Sequence, residues 1–342
     1  MSQPTAAFWN RRKIIQAGIG AGLGIGGGAI AWSQRQSLTS SSQGSSQAVV
    51  KIPAMAPMNH GDMNHGNSIS PMAMLRDFDR GTVTQENGRT VREFKLVAQS
   101  GELQLDKANK FITWNLNGRV PAPTLRANEG DRIRVVFQNK GGHAHSLHFH
   151  GDHPANMDGI KPVRNGQVFI YEFDAKPFGV HLYHCHVEPV TRHIGKGLYG
   201  MFIVDPPTPR PPADELVLIM AGYDVNGDRK NELYAFNGLP HYYMHNPIAI
   251  QQDQLIRLYV LNMIEFDIAA TFHLHANLFT VNQTGRSIAG GSYETDVITM
   301  GTAERHILEF KYHETGKFMF HPHQDFMAEA GCMGYFEVIA NA

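Results

Sequence analysis

Four short motifs could do chemistry in this chain. His148-Phe149-His150 and His184-Cys185-His186 lie before the proline-rich stretch 206–213, and His273-Leu274-His275 and His321-Pro322-His323 lie after it. Imidazole and thiolate are ligands for transition metals, not for hard cations such as calcium or magnesium. A glycine-led apolar run follows each late motif, Gly200-Met201-Phe202-Ile203-Val204 and Gly334-Tyr335-Phe336-Glu337-Val338. The same arrangement therefore occurs twice, at matching places, which core or surface histidines scattered by chance would not produce.

The spacing carries geometry if the motifs are extended. Side chains i and i+2 of a strand share a face. His184 and His186 then point one way and Cys185 the other. His148 and His150 share a face, and His145, three residues earlier, points away from them. Adding His193, eight residues after Cys185, completes a His₂Cys set before the proline-rich stretch. A trigonal His₂Cys site with a weak axial position is the blue-copper electron-transfer arrangement. Zinc is the rival metal for such donors, but it leaves the other eight histidines unexplained. The part after that stretch lacks this centre, because Ala270 and Pro322 stand where His145 and Cys185 would. Only two cysteines are present. If Cys185 holds a metal, Cys332 reads as a buried free thiol.

Sandwich strands suit the positioning of such motifs. From about residue 90 the chain alternates in short runs, such as Phe111-Ile112-Thr113-Trp114 and Arg132-Ile133-Arg134-Val135-Val136-Phe137, punctuated by Asn117-Gly118 and Glu129-Gly130-Asp131. Long helical periods are absent. The pattern predicts an all-β protein of two β-sandwich domains, 90–205 and 214–342. The proline-rich stretch 206–213 separates them as a linker. Residues 1–31 read as a twin-arginine-like signal, with Arg11-Arg12 before an apolar run and Ala29-Ile30-Ala31 as a cleavage pattern. That run holds seven glycines, which argues against a stable membrane anchor. Export then makes the protein periplasmic or extracellular. Residues 32–89 read as a flexible linker. Within it, 54–75 is rich in Met and His, soft donors that suit Cu(I), with a disordered spacer as the competing reading. A net charge of −1 gives no basic excess for nucleic acid.

Taken together, these motifs resemble those of two-domain multicopper oxidases, the small laccases. His145-x-x-His148-x-His150-Gly151, His184-Cys185-His186, His273-x-His275 and His321-x-His323 carry the likeness, with Trp114-x-Leu116-Asn117-Gly118 beside them. The resemblance implies two cupredoxin-like Greek-key sandwiches and four coppers per chain. A type 1 copper would take His145, Cys185 and His193. A trinuclear cluster, one type 2 and two type 3 ions, would take His148, His150, His184, His186, His273, His275, His321 and His323. Many relatives carry an axial Met where this chain has Leu198, so a three-coordinate type 1 site of raised potential is expected. The resemblance further implies one-electron oxidation of phenolic or aromatic substrates, or of Cu(I), coupled to reduction of O₂ to water. Electrons would enter past His193. A homotrimer would place each cluster between the first domain of one subunit and the second domain of the next. Asp152 and Asp325 are candidates to deliver protons, with surface or capping roles as the alternative. A copper nitrite reductase is the nearest enzyme rival; it carries Asp in place of His148 and no histidine directly after the cysteine. A cupredoxin electron carrier would need only one copper.

Overall fold

The computed structural model describes residues 66–288 and 293–341. The signal-like segment and the part of the Met/His tract up to His65 lie outside the described residues. No described helix is long and apolar enough to cross a membrane.

Four sheets form two sandwiches. In the first sandwich, one sheet runs Phe78–Asp79, Thr124–Asn128, Tyr199–Asp205, Gly179–His184, His148–Phe149. Opposite it lie Thr82–Glu86, Arg89–Gln104, Arg132–Asn139 and Val168–Asp174, with Lys110–Leu116 paired to the long second strand. The second sandwich pairs a six-stranded sheet, Leu233–Phe236 through Tyr293–Thr295, with a five-stranded one containing Ala269–Leu274 and Gly316–His321. Parallel neighbours distant in sequence, such as Thr124–Asn128 beside Tyr199–Asp205, are the Greek-key crossovers.

Strand Gly179–His184 is buried at every position, so it does not read as polar-apolar alternation. Both of its faces are covered. Tyr183 and Phe202 point into the first sandwich, while Val180, Leu182, Met201 and Ile203 pack on Val217, Ile219, Tyr259 and Leu261 of the second. This seam fixes the strand that carries the His-Cys-His motif. Burial of its apolar side chains contributes roughly 1.5–3 kcal/mol each.

Residues 66–89, expected as linker, belong to the fold. Asn67 exchanges hydrogen bonds with both backbone groups of Val120. A short helix, Pro71–Met74, is capped by Ser70, whose Oγ accepts the Ala73 N–H. Leu75 is fully buried in the core of the second sandwich, and its carbonyl accepts the Val217 N–H. Met74 is buried, and Met72 packs on that same core. The last two methionines of the Met/His tract thus fasten a strap across both sandwiches, where apolar burial outweighs any ligand role.

Candidate metal centre

The backbone register explains how the motifs meet. His148 pairs with His184 and Phe149 with Tyr183, so the two histidines share one face and the two aromatic rings the other. In the second sandwich His273 pairs with His321 and Leu274 with Phe320. Each sandwich thereby repeats the same construction.

Behind His184, the Cys185 side chain turns into the first core. Its Sγ lies 3.2 Å from Nδ1 of His193 and 3.8 Å from Nδ1 of His145, and the two nitrogens are 3.2 Å apart. A point equidistant from the three donors lies about 2 Å from each, the length of a metal–imidazole bond and a little short of the roughly 2.3 Å of a metal–thiolate bond. All three residues are buried. Burial pushes His145 down to about 3 and His193 down to about 4, so both rings are neutral and offer lone pairs. Burial raises the Cys185 thiol, against the hydrogen bonds it receives, the Ser146 N–H among them at 3.5 Å. A bound cation is the charge that would offset the cost of the thiolate. The donor set and its triangle fit a His₂Cys metal site.

Leu198 stands beside this triangle. Its carbonyl accepts the Cys185 N–H at 3.0 Å, and its amide donates to the His193 carbonyl at 3.3 Å. The side chain is buried in the same apolar cluster as Cys185 and offers no donor. Met201 points into the seam between sandwiches instead.

The remaining histidines form two sets of four. In the first, the ring of His148 lies 5.0, 5.2 and 5.1 Å from those of His150, His184 and His186. In the second, the ring of His273 lies 5.0, 5.4 and 5.2 Å from those of His275, His321 and His323. The orienting hydrogen bonds also match. His148 and His273 direct Nδ1 at the carbonyls of Asp158 and Asp296, at 3.0 and 2.8 Å. His184 and His321 direct Nδ1 at the carbonyls of Cys185 and Pro322, at 2.9 and 2.7 Å. A ring that donates through Nδ1 keeps the Nε2 lone pair for a metal. Nε2 of His150 faces Nε2 of His184 at 3.2 Å, and Nε2 of His275 faces that of His321 at 2.9 Å. Converging nitrogens of this kind suit a shared cation. Burial lowers His150 to about 3 and His184 to about 4, again favouring neutral ligands. Among the described residues no ring contact joins the two sets, and no metal-competent group draws histidines from both.

The carboxylates divide differently from expectation. Asp152 is exposed and pairs with Lys176 at 3.0 Å. Asp325 opens the short helix Asp325–Glu329, and its charge acts on His321. The sequence reading missed Asp158, whose Oδ1 lies 3.0 Å from Nδ1 of His148 and 3.6 Å from Nε2 of His153. No periodic spacing marks Asp158; the loop after His150 folds back to place it. Equally unannounced is the cover over the thiolate triangle. His193 is only 3% exposed, so its edge does not open to water. The Trp114 ring lies edge-on to it at 4.8 Å, and His143 packs between Trp114 and His145.

Two family descriptions, both multicopper oxidase, match residues 98–209 and 210–342. The chain belongs to the multicopper oxidase family. A solved structure of a multicopper oxidase is 46% identical with a TM-score of 0.78, over 80% of this chain and 98% of that one. The copper-containing nitrite reductase of Neisseria gonorrhoeae is 25% identical over 262 residues, 69% of this chain and 65% of its own length. Copper resistance protein A of Escherichia coli is 30% identical over 138 residues, 36% of this chain and 22% of its own. The chain therefore spans just under two thirds of the nitrite reductase. Copper is the metal that this family and these histidine clusters have in common.

Proposed function

We propose that this multicopper oxidase removes electrons one at a time from a small reductant and uses four of them to reduce O₂ to two waters, a laccase-like activity. The observation that carries this reading is the duplicated four-histidine construction beside a single His₂Cys triangle. His145, Cys185 and His193 would hold a type 1 copper; the two four-histidine sets would hold a type 2 and two type 3 ions. Bound copper supplies the one-electron redox chemistry. The protein's own residues do the rest. Cys185 links the triangle to the first set through its two sequence neighbours, His184 and His186. Carbonyl-anchored imidazoles fix where ligands point. Asp158, against His148 and His153, is the carboxylate best placed to hold and pass a proton there. Leu198, buried beside Cys185, would offer a bound type 1 copper no fourth donor.

Eight histidines in two separate sets support completion of each cluster by a second copy, in a closed ring of three. The functional modules would then be 90–205 and 214–342, joined by 206–213, with 66–89 as a strap. The signal-like segment supports export to the periplasm or beyond.

Nitrite reduction is the second reading, favoured by the identity to the gonococcal enzyme. Against it stand His148, where the resemblance implies Asp, and His186, whose ring lies 5.1 Å from that of His148. Metal analysis of the holoenzyme with an oxygen electrode tests the choice. About four coppers per chain and O₂ uptake without peroxide are expected from the ligand count. About two coppers with nitrite turnover would overturn the proposal.

A further inference from the structure

We propose that Trp114 and Arg192 form the platform on which an aromatic reductant, neutral or anionic, docks and delivers its electron. The inference rests on the oxidase reading above and names its substrate class. His145 and Cys185 are fully buried and His193 is 3% exposed, so no donor of the triangle meets solvent. Trp114, half-buried, does. Its ring lies edge-on at 4.8 Å to His193 and 5.8 Å to His145. The Arg192 guanidinium sits 5.3 Å from its centroid. Edge-on rings and a stacked guanidinium are favourable arrangements that hold the indole in place. A molecule arriving from water therefore reaches the indole before any ligand.

Charge selects the class. Arg192 is exposed, next in sequence to His193, and has no ion pair among the described residues. Lys196, whose carbonyl accepts the Trp114 backbone N–H at 2.9 Å, carries its ammonium over the neighbouring Phe111 ring at 3.9 Å, partly offset by Asp224. An aromatic face with the Arg192 cation on it stacks phenols, attracts phenolates and aromatic sulfonates, and repels metal cations. In the step itself a phenol O–H bond breaks. The proton goes to water, and one electron passes by way of the indole and the His193 ring, which would deliver it to a copper(II) held by His145, Cys185 and His193 and so reduce it to copper(I), leaving a phenoxyl radical. Trp114 starts and ends unchanged. Four such events supply the electrons for one O₂.

The test uses the full chain in two forms. In the copper-free protein, calorimetric titration with anthraquinone-2-sulfonate should give binding that weakens at least fivefold in Arg192→Glu and in Trp114→Leu. In the copper-loaded protein, both variants should keep the visible thiolate band while KM for a sulfonated aromatic reductant rises at least tenfold. Trp114→Phe, which keeps a ring, should bring KM back to within about threefold of wild type where Trp114→Leu does not, while Arg192→Glu, which leaves the ring in place, should still raise it for the anionic reductant. For Arg192→Glu, KM for a cationic phenylenediamine should fall. Unchanged probe binding and unchanged KM in both variants, with the band intact, would overturn the proposal. A chain that consumes no O₂ with any reductant would instead sink the oxidase reading, and the probe titration would still decide the platform.

Discussion

Nδ1 of His193 lies 3.2 Å from the Cys185 sulfur, although eight residues separate them, because Leu198 ties both backbones together. The turn Val190–Gly195 returns the chain so that Leu198 bonds to Cys185 on one side and to His193 on the other. Leu198 thus builds the triangle yet gives it no fourth ligand. Replacing it with Met puts a thioether beside the donors without changing the bulk of the core much. Leu198→Met should lower the potential of the bound copper by about 60 mV or more, a tenfold change per electron. Redox titration of the visible band checks this, and a rise would contradict the vacant axial position.

Burial of neutral imidazoles has a cost that pH reveals. His145 and His193 are pushed down to about 3 and about 4 by burial, while the unfolded chain titrates near 6.5. Between those values the unfolded state binds more protons, so stability falls as pH falls from about 6.5 toward 4 and is fully present above 6.5. Each fully titrating group contributes about 1.4 kcal/mol per pH unit. The copper-free protein should therefore lose roughly 5 °C or more of Tm per unit across that window. A bound metal occupies the nitrogens, so the loaded protein should hold its Tm to lower pH. Equal slopes for the two forms, in scanning calorimetry, would contradict the assignment.

Asp158 offers a test of the proton-handling side. Its Oδ1 and its carbonyl both lie 3.0 Å from Nδ1 of His148. Asp158→Asn keeps the carbonyl anchor and removes the charge. Activity with every reductant should fall about 10- to 100-fold, the usual cost of losing an orienting partner of a ligand. The effect should fall on the oxygen step, seen as slowed reoxidation of reduced enzyme in stopped flow, with the type 1 band untouched. Asp152→Asn, at an exposed pair with Lys176, should change little.

The sequence displays the motifs and the strands that hold them because both are local: alternation over three residues suffices to turn Cys185 away from His184 and His186. The strap around Leu75 is not legible, since a four-residue helix has no period and its register is set by Val120 and Val217, far along the chain. Asp158 and the Trp114 cover are hidden for the same reason. Which carboxylate reaches His148, and which ring lies over His193, depends on how loops fold across the sandwich, and no spacing encodes it. Strand Gly179–His184 misleads in another way, because packing on both faces erases its polar alternation.

Assembly can be tested by complementation. The His148 set and the His273 set do not meet among the described residues, so each needs a partner from another copy if three ions are shared. Take one variant with His148→Ala and His150→Ala, and a second with His273→Ala and His275→Ala. Each alone should be inactive in O₂ reduction. Unfolded, mixed in equal amounts and reassembled, they form rings in which some interfaces join an intact first set from one chain to an intact second set from the other. For random mixing in a closed heterologous ring, about a quarter of the interfaces are whole. Activity should thus recover to about a quarter of that of wild-type protein treated the same way, and the recovered species should sediment as a trimer. If each cluster closed within one chain, every chain would carry a broken site and mixing would restore nothing.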